Sequence, residues 1–319
     1  MALRDIKGQA RALNILRGAV LRGRLASSYL FAGEDGIGKK TAAVSFTMAL
    51  NCLDPQYPED GDGKGFGDAC GVCSSCRRIV SGTHPDFMLV APEDRVIKVE
   101  EIRAIEEALS FRAHEARVKT VIVDNAEAMN TAAANAFLKT LEEPAGGIMI
   151  ILVSSMPDRL PITIRSRCSR VNFRPLAASE VAEVIGEEEG SPSVMLSMGR
   201  PGEAASGELE PRRQRFLELL GSILTPGSSA EWKDRQDIEG WLDMALLLLR
   251  DLAAVRTGVS PVNSDMQEEL GRMAGGRPVE DILAAYAKLR QLRARQLFNL
   301  NKGITWNYAG CVLGNVIDA

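Results

Sequence analysis

A glycine-rich turn between an apolar run and a helical pattern constrains this chain more than any other feature. Tyr29-Leu30-Phe31-Ala32 reads as a short buried strand, Gly33-Glu34-Asp35-Gly36-Ile37-Gly38-Lys39 follows it, and Thr41-Ala42-Ala43-Val44 opens a helical pattern. Gly33-x4-Gly38-Lys39 in that setting has the spacing of a phosphate loop. Gly33, Gly36 and Gly38 allow backbone N–H groups to turn toward phosphate oxygens, the helix N-terminus adds its positive dipole end, and Lys39 reaches the terminal phosphates. The next residue, normally the Ser or Thr that holds magnesium, is Lys40, and Thr41 comes one place later. Shifting the register to match Lys40-Thr41 would put Glu34 and Lys39 where glycines belong, so the shift fails. The pattern predicts a phosphate-loop fold. Binding of a magnesium nucleotide stays open, the alternative being a loop kept for its turn alone.

Two further apolar runs, Val121-Ile122-Val123 ending at Asp124 and Ile148 to Val153 ending at Ser154-Ser155, suit a buried parallel sheet. Helical stripes lie between the strands, Ile102, Ile105 and Leu109 on one and Ala134, Phe137, Leu138 and Leu141 on another, and read as core. Asp124 is placed to hold magnesium, or to cap a helix, or both. An active ATPase of this kind would carry a glutamate next to activate water; Asn125 stands there and cannot take a proton, and Glu127 is expected to face elsewhere. Ser166-Arg167-Cys168 follows Leu160 to Arg165. After the two nucleotide motifs, Arg167 is a candidate arginine finger, supplying charge to a phosphoryl group on a neighbouring subunit; the alternative is an ordinary surface arginine.

Cys70-Gly71-Val72-Cys73-Ser74-Ser75-Cys76, with Cys52 upstream, offers four thiolates at structural-zinc spacing. Four sulfurs leave no open coordination position, so such a zinc is structural rather than catalytic. Cys52 is the least constrained ligand, because its gap to Cys70 is long. Asp54 to Ala69 reads as a loop carrying this module. His84 reads as a turn residue before Pro85-Asp86, and His114 as solvated.

The 319 residues exceed one typical core. The expected order is an α/β domain over 1–175, a small helical lid over 176–209 broken at Ser191-Pro192 and Gly199 to Gly202, and a helical domain over 210–319. Broad apolar faces around Trp241, Leu242 and Leu246 suggest that this last domain oligomerises. A net charge of -4 argues against a nucleic-acid-coating surface but allows a local basic patch. Grouped cysteines, an N-terminus without an apolar signal core, and the lack of a spanning apolar run point to a reducing cytoplasm and no membrane.

These motifs, together with Ile6-x-Gly8-Gln9, Thr83-His84-Pro85-Asp86, Ile97-x-Val99-x2-Ile102-Arg103 and Asn135-Ala136-Phe137-Leu138-Lys139-Thr140-Leu141-Glu142-Glu143-Pro144, resemble the bacterial clamp-loader branch of the AAA+ family, specifically its delta-prime type. The C-terminal match is loose, around Arg295 to Asn301. The resemblance implies a DNA polymerase III assembly of five subunits, delta and gamma/tau among them, joined by a helical collar, that opens a sliding clamp and places it on primer-template DNA. It further implies a rigid, non-motor member whose Arg167 completes the ATP site of a neighbour. Lys40, Asn125, and Gly202 where a motor subunit carries a lid arginine, fit that role. Two other readings stand beside it. One is an active gamma-type ATPase. The other is a zinc-dependent nucleic-acid-binding module, for which Arg77-Arg78 speak and Glu59, Asp60, Asp62 and Asp68 speak against.

Overall fold

The computed structural model describes residues 1–57, 65–93, 95–144, 146–225, 227–295 and 301–317, without the Arg295 side chain. Glu59, Asp60, Asp62 and the stretch 296–300 of the loose C-terminal match lie outside the described residues. The chain forms two compact units: Met1–Val184 with Gly199–Gly202, and Ile185–Met198 with Glu203–Ala319. The stretch 176–209 is shared between them and holds three short helices, two of which begin at Pro192 and Pro201, where sequence placed breaks.

In the first unit, α1 (Ala10–Leu21), β1 (Ser28–Ala32), α2 (Lys39–Asn51), α3 (Ser74–Val80), β2 (Phe87–Val90), α4 (Val99–Ser110), β3 (Lys119–Val123), α5 (Thr131–Glu142), β4 (Ile148–Ser154), α6 (Ile162–Arg165), β5 (Ser169–Asn172) and α7 (Ala178–Ile185) follow in order. The five strands are parallel, in the order β2-β3-β4-β1-β5. Successive residues alternate between two buried faces. Tyr29, Phe31, Ile122, Ile151 and Val153 pack with Leu13, Leu16, Phe46 and Ile79. Leu30, Val121, Val123, Ile150 and Leu152 pack with Ile102, Ile105, Phe137 and Leu141. A sheet covered on both sides needs apolar residues at every position, which is why these strands read as continuous apolar runs.

The order brings the strand ending in Ser154 between the strands ending at Gly33 and Asp124. Gly33 N–H donates to Ser154 O at 3.2 Å, and Asp124 N–H to Val90 O at 2.7 Å. All three motifs therefore meet at the carboxyl edge of the sheet, where open α/β sheets bind ligands.

The second unit is helical: α8 (Pro192–Ser197), the end of α9 (Pro201–Ala205), α10 (Leu209–Leu224), α11 (Arg235–Arg256), α12 (Gln267–Ala274), α13 (Val279–Arg295) and α14 (Lys302–Gly314). Its centre is aromatic. Trp232 lies 5.7 Å from Trp241 and 5.0 Å from Trp306 between ring centroids, and Trp306 Nε1 donates to Ser228 Oγ at 2.9 Å. Trp241 and Leu242 are buried in this core and Leu246 packs against it. They are not the unburied faces expected from the sequence, because five helices suffice to enclose them. Among the described residues, exposed apolar side chains of this unit include Val259, Leu283, and a line on α14 at Ile304 and Tyr308, with Cys311 one turn on.

Candidate nucleotide site and metal centre

The phosphate loop has the geometry its glycines allow. Gly33, Gly36 and Gly38 have φ of 154°, 77° and 91°, and Gly38 caps α2 in the left-handed region that disfavours a side chain. The first amides of α2 lack intrahelical acceptors, so they face the loop's mouth. Lys39 is buried, and its Nζ donates to Gly33 O at 2.6 Å and Glu34 O at 2.5 Å, with Asp35 at 3.6 Å. Burial lowers its pKa, against the opposing charges of Asp35, Glu127 and Asp124.

Lys40 pairs with the acid at the end of β3: its Nζ lies 3.1 Å from Asp124 Oδ2. The other oxygen, Oδ1, accepts the amide of Asn125 at 3.2 Å. No helix starts on Asp124. Asn125 precedes a single turn at Ala126–Ala128 with φ 47°, and Asn130 caps α5 by accepting the Ala133 amide. The capping alternative for Asp124 is therefore corrected. Glu127 turns to the end of β4, between β1 and β3, where its charge still acts on Lys39. Its Oε1 accepts from the Ser155 hydroxyl at 2.6 Å and from the amides of Ser155 and Met156 at 2.9 and 3.1 Å. Burial raises the Glu127 pKa, but these donors outweigh it and hold the carboxyl below its usual value. Its Oε2 is buried without a hydrogen-bond partner. Gly202 closes on the loop: its N–H donates to Gly36 O at 2.8 Å.

Arg167 sits just beyond α6, one-third exposed. Its guanidinium donates to Thr163 O at 2.8 Å and to Glu142 Oε1, at the end of α5, at 2.5 Å. Neither partner belongs to the phosphate loop, so its planar fork is held at the surface of the unit.

The four cysteines come together. Their sulfurs all lie within 4.8 Å of one another, and Cys52 Sγ is 4.0 Å from Cys73 Sγ. A tetrahedral zinc with Zn–S bonds of about 2.3 Å separates its sulfurs by about 3.8 Å, so the donor set fits after a small contraction. The amides of Cys70, Cys73 and Cys76 donate to the sulfurs of Cys52, Cys70 and Cys73 at 3.3, 3.3 and 3.5 Å, as thiolates require. Burial pushes the Cys52 and Cys76 thiols up. Burial acts the same way on Cys73, but amide and thiol donors bring it down to about 6. Crowded sulfurs cannot all ionise unless a cation offsets their charge.

The sequence profile described as "DNA polymerase III, delta subunit" matches residues 8–177. The DNA polymerase III subunit delta' of Bacillus subtilis (strain 168) is 32% identical over 269 residues, 78% of this chain and 78% of its own length. The chain belongs to the delta-prime family of clamp-loader subunits. The tau subunit of the same organism is 31% identical over 288 residues, 90% of this delta-prime-type chain but 45% of tau. A gamma subunit-related protein of Thermotoga maritima shares its fold, with a TM-score of 0.52 at 19% identity, over 96% of this chain and 99% of that one.

The phosphate-loop residues, Asp124 and Gly202 of this delta-prime-type chain meet at one edge, the cysteines form a second cluster, and Arg167 stands apart with Glu142. Thr41 is exposed on α2 and makes no side-chain hydrogen bond among those described. The Lys40–Asp124 pair and the Glu127–Ser155 clamp escaped the sequence reading. Each joins residues whose proximity depends on the strand order. Arg78, offered for a nucleic-acid surface, is paired with Glu115, which weakens that reading. Among the described residues no helix is long and apolar enough to cross a membrane.

Proposed function

We propose that this chain is the non-motor member of a clamp loader of DNA polymerase III, a cytoplasmic assembly with gamma/tau and delta subunits that loads a sliding clamp on primer-template DNA. Its own nucleotide site hydrolyses ATP poorly or not at all, and Arg167 acts in trans on the ATP of a neighbour. One observation carries this reading: the sheet edge has Lys40 bonded to Asp124 and Asn125 in place of a base, while Arg167 is held at the surface, away from that edge. Residues 176–209 serve as the lid and 210–319 as the collar; the exposed line Ile304, Tyr308 and Cys311 on α14 supports a contact there. Cys52, Cys70, Cys73 and Cys76 hold a structural zinc.

The test is a reconstituted loader carrying Arg167→Ala. An arginine finger stabilises charge developing on the transferred phosphoryl group and is worth about 10³-fold or more at its site. The variant should fold and assemble, with clamp loading lost and DNA-stimulated ATPase cut in part, since one interface is affected. Arg167→Lys should rescue poorly, lacking the bidentate fork. Wild-type rates in both assays would remove Arg167 from the mechanism. The likeness to tau over most of the chain favours a second reading, an active gamma-type ATPase. Magnesium-dependent turnover by the pure chain that vanishes in Lys39→Ala would establish it.

A further inference from the structure

Phosphate-loop folds hold magnesium through the hydroxyl after the loop lysine and the acid ending the second strand. The residues here do not fit that ion. The hydroxyl is replaced by Lys40, whose ammonium already lies 3.1 Å from Asp124 Oδ2. A dication placed between them would have a cation as its nearest neighbour. Thr41 cannot substitute, because one residue along a helix turns the side chain by about 100°. Asn125 adds no charge, and Glu127 Oε1 is committed to Ser155 and Met156.

What remains is an anion site with its counter-charge built in. It has left-handed glycines, the free amides of a 13-residue helix, the buried Lys39 and a second ammonium at Lys40. We propose that this site takes a nucleoside polyphosphate without a divalent cation, the Lys40 ammonium standing beside Asp124 where the metal ion would sit. A phosphate oxygen would receive its charge-assisted hydrogen bonds from Lys39 and Lys40. The ligand would be bound and not turned over, since Asn125 stands where the water-activating glutamate would be. This deepens the non-motor reading but is independent of Arg167. It is tested on the isolated chain, whereas Arg167 is tested in the assembly, so either can fail alone.

The experiment is equilibrium binding of ATP and of ADP to the full chain, by calorimetry, in EDTA and in excess magnesium. Wild type should bind no more weakly in EDTA than in magnesium, because magnesium occupies the phosphate oxygens that Lys40 needs. Lys40→Thr restores the hydroxyl and frees Asp124. It should invert the order, with magnesium tightening binding by about tenfold or more, equivalent to about 1.4 kcal/mol. Lys40→Met removes the charge without a hydroxyl and should weaken binding in EDTA by about tenfold. Lys40 is exposed, so both variants should keep the wild-type melting profile. The proposal is overturned if wild type requires magnesium, if it binds neither nucleotide in either buffer, or if Lys40→Thr shows no gain from magnesium.

Discussion

The cysteine cluster and the phosphate edge are built by the same device in the same unit, and they differ in what completes them. In both, backbone amides at a turn or helix start point at a place for negative charge. In the cysteine module the negative groups are the chain's own sulfurs, and all four stand close enough that their charge calls for a cation. At the phosphate edge the cation has been supplied from within, as Lys40, and the acid that would hold a metal is neutralised. The first donor set calls for a metal and the second turns one away. Backbone amides at a turn, which both share, do not tell them apart; the side chains beside each turn do.

The sharpest way to break this contrast is to empty the first site. Purified without chelator, the chain should carry about one zinc. Cys76→Ser should reduce that to near zero, since Cys76 is a buried member of the four-sulfur set. The loss should cost about 3–5 kcal/mol and lower the unfolding midpoint of the first unit by roughly 10 °C. That is less than zinc-finger peptides lose, because residues of α2 and α3, Phe46 and Ile79 among them, are also held by the apolar core of the first unit. A variant with full zinc content, or one without zinc that melts at the wild-type temperature, would remove the distinction between the two sites.

A third amide cradle in the unit sharpens the comparison, because its anion is a side chain of the protein. Asp86 is buried, and its carboxylate accepts from the amides of His114, Glu115 and Ala116 at 2.8 to 3.0 Å. Burial raises its pKa, but these amides and Lys119 outweigh it and hold the carboxyl below its usual range. A folded-state pKa below the unfolded value means the stabilisation is complete above about pH 4 and is lost as pH falls through the folded value. Asp86→Asn presents an NH2 group to the amide donors and should cost about 2–3 kcal/mol at neutral pH. In denaturant titrations at a series of pH values, the gap between wild type and variant should narrow only below about pH 4. A gap constant down to pH 2 would show that Asp86 acts by packing rather than by charge.

Much of this was legible because the central strands are buried on both faces. β1, β3 and β4 read directly as apolar runs, whereas β2 and β5 did not. Ser169-Arg170-Val171-Asn172 buries only Val171, and β2 leaves Leu89 exposed, so edge strands give half a signal. The cysteine cluster was legible from spacing, since three of its ligands lie within seven residues. The Lys40–Asp124 pair was not, although both residues had been singled out. Their meeting depends on β4 lying between β1 and β3, which no local pattern encodes. The apolar face at Trp241, Leu242 and Leu246 misled in the other direction: a broad apolar face looks the same in sequence whether a neighbouring subunit or the chain's own helices cover it.

The smallest expected effect tests whether Gly199–Gly202 rests on the phosphate loop through bare backbone. A Cβ added at Gly202 would lie 3.0 Å from Gly36 Cα and 3.1 Å from Gly36 O. Both are backbone atoms of a turn that cannot yield like a side chain. Gly202 is also the second residue of α9, where alanine gains helix propensity of up to about 1 kcal/mol over glycine. Crowding at this distance costs about 1–2 kcal/mol, so Gly202→Ala should destabilise by up to about 1 kcal/mol net. Gly221 in α10 has nothing within 4 Å of the same added atom. There the propensity gain is unopposed, and Gly221→Ala should stabilise by about 0.5–1 kcal/mol. The same substitution should thus change sign between the two positions, read as the unfolding free energy of each variant. If Gly202→Ala stabilised the chain as Gly221→Ala does, the hydrogen bond from Gly202 to Gly36 would not persist in solution. The phosphate edge would then be open to a longer side chain at 202.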